Sequence, residues 1–283
     1  TEDGGDGVSV SGSVTGGKTE GHATGGTAVS VAEGSTFTDT VVNGEATTGT
    51  GVSVAGEATL TNAVLNGTTQ TGTGAAISGT FTGDKTSQVT GVATQDGGTG
   101  VTVSGSVTGG KVDGHATSGA GVHLDTGTTL NNVAVSGGTE SGKGVDIAGG
   151  LVSTGATTIA GHSTGAGTGV DVAGNITGGS VTGNADGTGT GVTVSGQNVT
   201  VSDVVVSGNT EDGTGVLVSG GLSGSGTVVN GQATGGGTGV QINGTLAAGI
   251  KGSSSSGTGV LVSDGANIAS GSHADGSSVS GTG

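Results

Sequence analysis

The residues best placed to do chemistry in this chain of 283 residues are His123, Asp146 and Asp171. Each is the middle residue of an apolar–x–apolar triplet: Val122 to Leu124, Val145 to Ile147 and Val170 to Val172. If such triplets are neighbouring strands, the three side chains project from one face about 5 Å apart. Two carboxylates at that spacing repel unless a cation or a shared proton intervenes. The chemistry on offer is therefore a weak cation site or a poised acid pair. The plain alternative is surface charges that splay apart into solvent. No motif ties a serine to them, so a hydrolase triad is not indicated.

A second set, His22, His115 and His162, shares the context Gly-x-Ala/Ser-Thr. In a stacked repeat these histidines lie at least two units apart, about 9–10 Å. Metal bonds of about 2 Å cannot span that gap, and the residues read as exposed corner histidines. Four Asn-x-Ser/Thr sequons, at Asn66, Asn175, Asn198 and Asn243, are what chance supplies in a threonine-rich chain.

The rest of the composition removes chemistry. There is no Cys, Pro, Met, Trp or Tyr, and the five basic residues are all lysine against 21 acids, a formal charge of −16. Nucleic-acid binding lacks its cations and its stacking aromatics. Anionic membrane surfaces are disfavoured, and no apolar run approaches the roughly 18 residues of a spanning helix. No calcium-binding Gly-Gly-x-Gly-x-Asp repeat, EF-hand loop or phosphate loop occurs. The expectation is a non-enzyme that takes no cofactor and no metal.

What positions these residues is a period. Aligned on the first apolar residue of the triplet, the chain divides at Val8, Val29, Val52, Ala75, Val101, Val122, Val145, Val170, Val192, Val216, Val240 and Val260. That makes 12 repeats of roughly 23 residues. Gly-Val-Ser-Val-Ser-Gly-Ser-Val-Thr-Gly-Gly-Lys from Gly7 returns almost unchanged from Gly100, four repeats later. Within a repeat a second apolar anchor follows (Val14, Phe37, Leu60, Phe81 and so on), then a third (Val42, Val64, Val89, Val228 among them), then a Gly-x-Ala-Thr corner. The middle residue of the first triplet is polar in nine of the 12 repeats, as alternation along a strand requires. No segment keeps a helical period, and glycine interrupts every turn.

Three short strands per repeat predict an all-β chain, a right-handed parallel β-helix of 12 coils and on the order of 55–60 Å long. Residues 1–283 read as one solenoid. Glycine is expected to supply positive φ at the corners, and the missing proline leaves every strand free to donate its N–H groups. Since neither end shows a cap, the chain reads as part of a longer protein.

Gly-Thr-Gly-Val-x-Val-Ser-Gly-x-Val-Thr-Gly-Gly and the following Gly-His-Ala-Thr resemble passenger repeats of Gram-negative type V autotransporter adhesins, the AIDA-type self-associating group. The resemblance spans the whole chain and is one of texture. It implies a β-helix displayed extracellularly on the bacterial surface, outside the membrane itself. There it would drive cell–cell aggregation, biofilm formation or attachment to host proteins or glycans.

Two further features fit contact with a partner. A Thr recurs in the Gly-Thr-Gly element: Thr27, Thr50, Thr73, Thr99, Thr168, Thr190, Thr214, Thr238 and Thr258. Stacked, these form a ladder of hydroxyls for self-association or for stabilising a corner. Leu217 and Leu261 break the polar pattern of the triplets and suggest an apolar contact. Rival readings are a passive stalk that holds a distal domain, and an ice-binding solenoid. The latter needs Thr-x-Thr on successive coils, and the Gly-Thr-Gly element offers one Thr per coil. An enzyme on a β-helix would need clustered acids with Arg/Lys and aromatic sugar platforms.

Overall fold

The computed structural model describes residues 4–283, and these form one stack of 12 coils with no helix among them. Each coil contributes three short strands. Equivalent strands pair in parallel into three sheets of 12 strands each. The first sheet runs from Val8–Val10 to Thr258–Val262, the second from Ser13–Thr15 to Asn267–Ile268, and the third from Lys18–Ala23 to His273–Ser278. This is the parallel β-solenoid that the period predicts.

The triplet anchors are in register throughout the first sheet. Val8 faces Val29, Val29 faces Val52, and the series continues to Val240 opposite Val260. Inward side chains from all three sheets fuse into one apolar core along the rod. Burying a Val or Leu stabilises by about 1.5–3 kcal/mol, but only when the adjacent coil covers it. Stability is therefore a property of the stack.

The glycines mostly do a different job from the one expected. Sixteen have positive φ, out of 71 in the chain. Many of the others form a steric seam. The fourth residue of every third strand is a glycine, and from Gly44 to Gly252 it points inward and presses on the glycine preceding a first-strand anchor. A Cβ on Gly67 would lie 1.8 Å from the carbonyl oxygen of Gly74, and one on Gly137 would lie 2.0 Å from that of Gly144. The first and third sheets therefore meet backbone to backbone, with no room for a side chain. The second sheet stands opposite this seam and supplies bulk: Phe37, Phe81, Leu60 and Leu130 are at most 1% exposed.

Left-handed backbone occurs at all three corners and most often at the one between the second and third strands. Asp39, Asn62, Asn132 and Asp203 have φ of 48–54° there, sharing the task with glycine. Asn and Asp tolerate this region because their short polar side chains bond locally. Asn62 Nδ2 donates to Asp39 Oδ1 at 2.8 Å, and the backbone N–H of Ala156 donates to Asn132 Oδ1. In the longest repeat Asp84 closes a turn: its Oδ1 accepts from the backbone N–H and hydroxyl groups of Thr86 and Ser87. The Ser87 and Thr86 hydroxyls hold its pKa down to about 2.

Three local expectations need correction. The third anchors placed at Val64 and Val228 fall on Leu65 and Val229, which pair with Val42 and Val206. Val228 itself is 48% exposed. Two adjacent apolar residues carry no alternation, and a one-residue slip exchanges inside for outside. Second, Gly-x-Ala is not a corner but the end of the third strand, as in Lys18–Ala23. The inward residue there is often a hydroxyl; Thr69 Oγ1 donates to the Gly49 carbonyl of the coil before and accepts from Gly72 N–H. Third, the second-strand anchors do not all pair with one another. Phe81 faces Ala58, Leu130 faces Ser153 and Ile176 faces Val201. Each of these steps is two residues, which keeps the same side chains inside.

Candidate functional site

The three sheets present three outer faces of unlike chemistry. On the first, the middle residues of the triplets form one unbroken column, and it brings His123, Asp146 and Asp171 side by side. His123 Nδ1 lies 2.9 Å from Asp146 Oδ2. The two carboxylates do not splay apart. Lys143 stands between them, with Nζ 2.9 Å from Asp146 Oδ1 and 2.6 Å from Asp171 Oδ2. Among the described residues no cluster of three or more His, Asp or Glu is arranged to hold a metal ion.

Lys143 is the member of this cluster that its sequence context does not announce. It occupies the Gly-Thr-Gly threonine slot in its coil, pairing with Ala120 and Thr168. A lysine replacing that Thr beside an aspartate triplet was the available signal. In the resulting His–Asp–Lys–Asp chain Lys143 offsets one of the two carboxylate charges, and His123 offsets the other when it is protonated. The hydrogen bond to Asp146 raises the His123 pKa despite partial burial. Burial disfavours ionised Asp146, but the bonds from His123 and Lys143 outweigh it and the pKa falls below the usual value. Burial likewise opposes the Lys143 charge, and the bonds to Asp171 and Asp146 overcome it. Asp171 is 7% exposed, and its Oδ1 has no hydrogen-bond partner.

The threonine column lies beside this chain. Thr27, Thr50, Thr73 and Thr99 stack in register, as do Thr168, Thr190, Thr214, Thr238 and Thr258, with Ala120 and Lys143 interrupting. All are half-buried. Among the described residues no hydroxyl of this column bonds to another. Leu217 and Leu261 are kept apart by Gln241 between them and form no continuous apolar patch.

The third face gathers the titratable groups. His22, His115, His162 and His273 lie on its strands, with Lys18, Lys111 and Lys251 and the acids Glu20, Glu45, Asp113 and Asp275. The first three histidines are strand residues, not corner residues, and each contacts its own carboxylate: Glu45 at 3.3 Å, Asp113 at 3.4 Å and Asp186 at 3.1 Å. Asp113 raises the His115 pKa. An open trough of about 670 Å³ runs past His115, Glu140 and His162, with Gly138 between the two rings.

The second face differs from both. Its strands contain no acid, lysine or histidine among the described residues. One outward column runs Ser13, Thr36, Thr59, Thr82, Thr108, Asn131, Thr154. A companion column runs Thr80, Ser106, Thr129, Val152, Thr177, Ser202. Here hydroxyls do bond between coils: Thr36 Oγ1 donates to Ser13 Oγ at 2.7 Å and Thr129 Oγ1 to Ser106 Oγ at 2.6 Å. The two-residue steps in register hid these columns from any alignment on apolar anchors.

No protein-family model, curated protein or solved structure matches the chain.

Proposed function

We propose that this chain is an adhesive rod of a bacterial surface protein, displayed extracellularly and acting through many weak polar contacts along its length. One observation carries the reading: parallel in-register stacking repeats the same outward positions coil after coil. Two such surfaces offer contacts in series, and avidity sums what each contact lacks. Partners on this reading are identical rods, and host proteins or glycans that accept hydroxyl and amide hydrogen bonds. A charge of −16 opposes the approach of two rods, so salt strengthens association by screening. Acid acts in the same direction, because taking up protons reduces the net negative charge of the rod.

Light scattering on the purified chain tests this. Self-association that grows with salt and at mildly acidic pH is expected; a strict monomer at high concentration under both conditions rules the reading out. Cells displaying only this segment separate adhesin from passive stalk, since a stalk leaves them dispersed.

A second reading, ice binding, draws support from the second face. Thr36-x-Thr38, Thr59-x-Thr61 and Thr80-x-Thr82 put two hydroxyls on one strand in three consecutive coils. Thermal hysteresis of the purified rod decides it.

A further inference from the structure

We infer that the outer face of the second sheet is the surface through which two copies of this chain meet. The inference rests on the adhesive reading and specifies its interface. The argument begins with electrostatics. The whole chain carries 21 acids and five lysines, and like charges brought together at an interface cost several kcal/mol. Charges lie on two of the three faces. The first bears His123, Lys143, Asp146 and Asp171, and the third bears three lysines and four carboxylates. The first-sheet charges sit in three central coils. Only the second sheet therefore has strands uncharged in every coil, letting two rods approach along their whole length without setting charge against charge or stripping water from ions.

The chemistry of that face is also self-complementary. A two-fold dimer requires one patch to match itself. A hydroxyl both donates and accepts, so a column of Thr and Ser can pair with its own copy, which a column of lysines or of carboxylates cannot do. Thr36, Thr59, Thr108, Thr129 and Thr154 are exposed. Val152, 47% exposed, sits in the companion column between Thr129 and Thr177 and gives the face an apolar centre. The charges nearest this face are on its rims, Glu33, Glu57, Asp125 and Asp264 at one corner and Asp39, Asp84, Asp203 and Lys85 at the other. They would flank the interface, so salt is expected to ease its formation while the contact itself stays uncharged.

The test places charge on alternate coils, so that introduced groups do not face each other within one rod. Thr36→Glu, Thr82→Glu and Asn131→Glu are combined in one chain, and Thr36→Lys, Thr82→Lys and Asn131→Lys in another. A control chain carries Thr190→Glu and Thr238→Glu on the first sheet. Circular dichroism and the unfolding midpoint establish that all three are folded. Sedimentation equilibrium is expected to show self-association of the Glu chain weakened at least about tenfold, the control near wild type, and an equimolar mixture of Glu and Lys chains associating again. If wild type self-associates and the Glu and Lys chains do so equally well, this face is not the interface, although the adhesive reading stands. If the control is weakened as much as the Glu chain, the face is likewise wrong. If wild type stays monomeric, the inference and the adhesive reading fall together.

Discussion

The seam where the first and third sheets meet and the second sheet opposite it solve the same packing problem in reverse. At the seam the inside is glycine on glycine and the flanking faces carry charge. On the second sheet the inside is Phe and Leu and the outside is uncharged hydroxyl. The difference teaches that the rod spends its inner volume on one side only. Close backbone approach draws two sheets together, and the third must then supply the side-chain bulk that fills the core.

The sharpest way to break this comparison is Gly67→Val. Its Cβ would fall on the Gly74 backbone, and the change is expected to cost more than about 4 kcal/mol. An unchanged denaturant midpoint would show that the seam can open. Phe81→Ala probes the opposite wall. A cavity there is expected to cost about 3–5 kcal/mol, whereas Thr80→Ala, on the same strand but outward, should stay within about 0.5 kcal/mol.

Lys143→Met tests whether charge on the first face is tolerated only because it is paired. Asp171 would be left nine-tenths buried without its cation. Discounting for the half-exposed lysine, the loss should be about 1–3 kcal/mol, and the double change with Asp171→Asn should recover part of it. A double variant no better than the single one would sink the pairing argument.

A smaller effect comes from pH. His123 has a raised pKa, so its contribution is complete below its ordinary value of 6.5 and is lost as pH rises through the raised one. Asp146 has a lowered pKa, so its contribution is complete above 3.8 and is lost as pH falls through the lowered one. The stabilisation of wild type over His123→Gln should therefore be greatest between pH 3.8 and 6.5. A difference that fails to shrink as pH rises well above 6.5 or falls well below 3.8 would show that the pair contributes nothing. The smallest effect belongs to Thr50→Ala in the first-sheet column, expected within about 0.5 kcal/mol because its half-buried hydroxyl supports no neighbour.

Much of this was legible beforehand. The anchors from Val8 to Val260 gave every first-sheet register, because a triplet with a polar centre has only one way to face the core. His123, Asp146 and Asp171 were placed side by side for the same reason. Legibility failed where alternation is absent: Val64 and Leu65, or Val228 and Val229, are equivalent until Val42 and Val206 choose between them. It failed also for Lys143, whose partners stand three residues away and one coil away.

The amino-acid sequence by itself determined the period, the parallel stacking and the small chemical repertoire, since these follow from local alternation and from residue types that are present or missing. Tertiary structure decided the purpose of the glycines and the identity of the uncharged face. Both depend on which backbones touch and on two-residue steps between coils, and those are settled only when the whole core is filled.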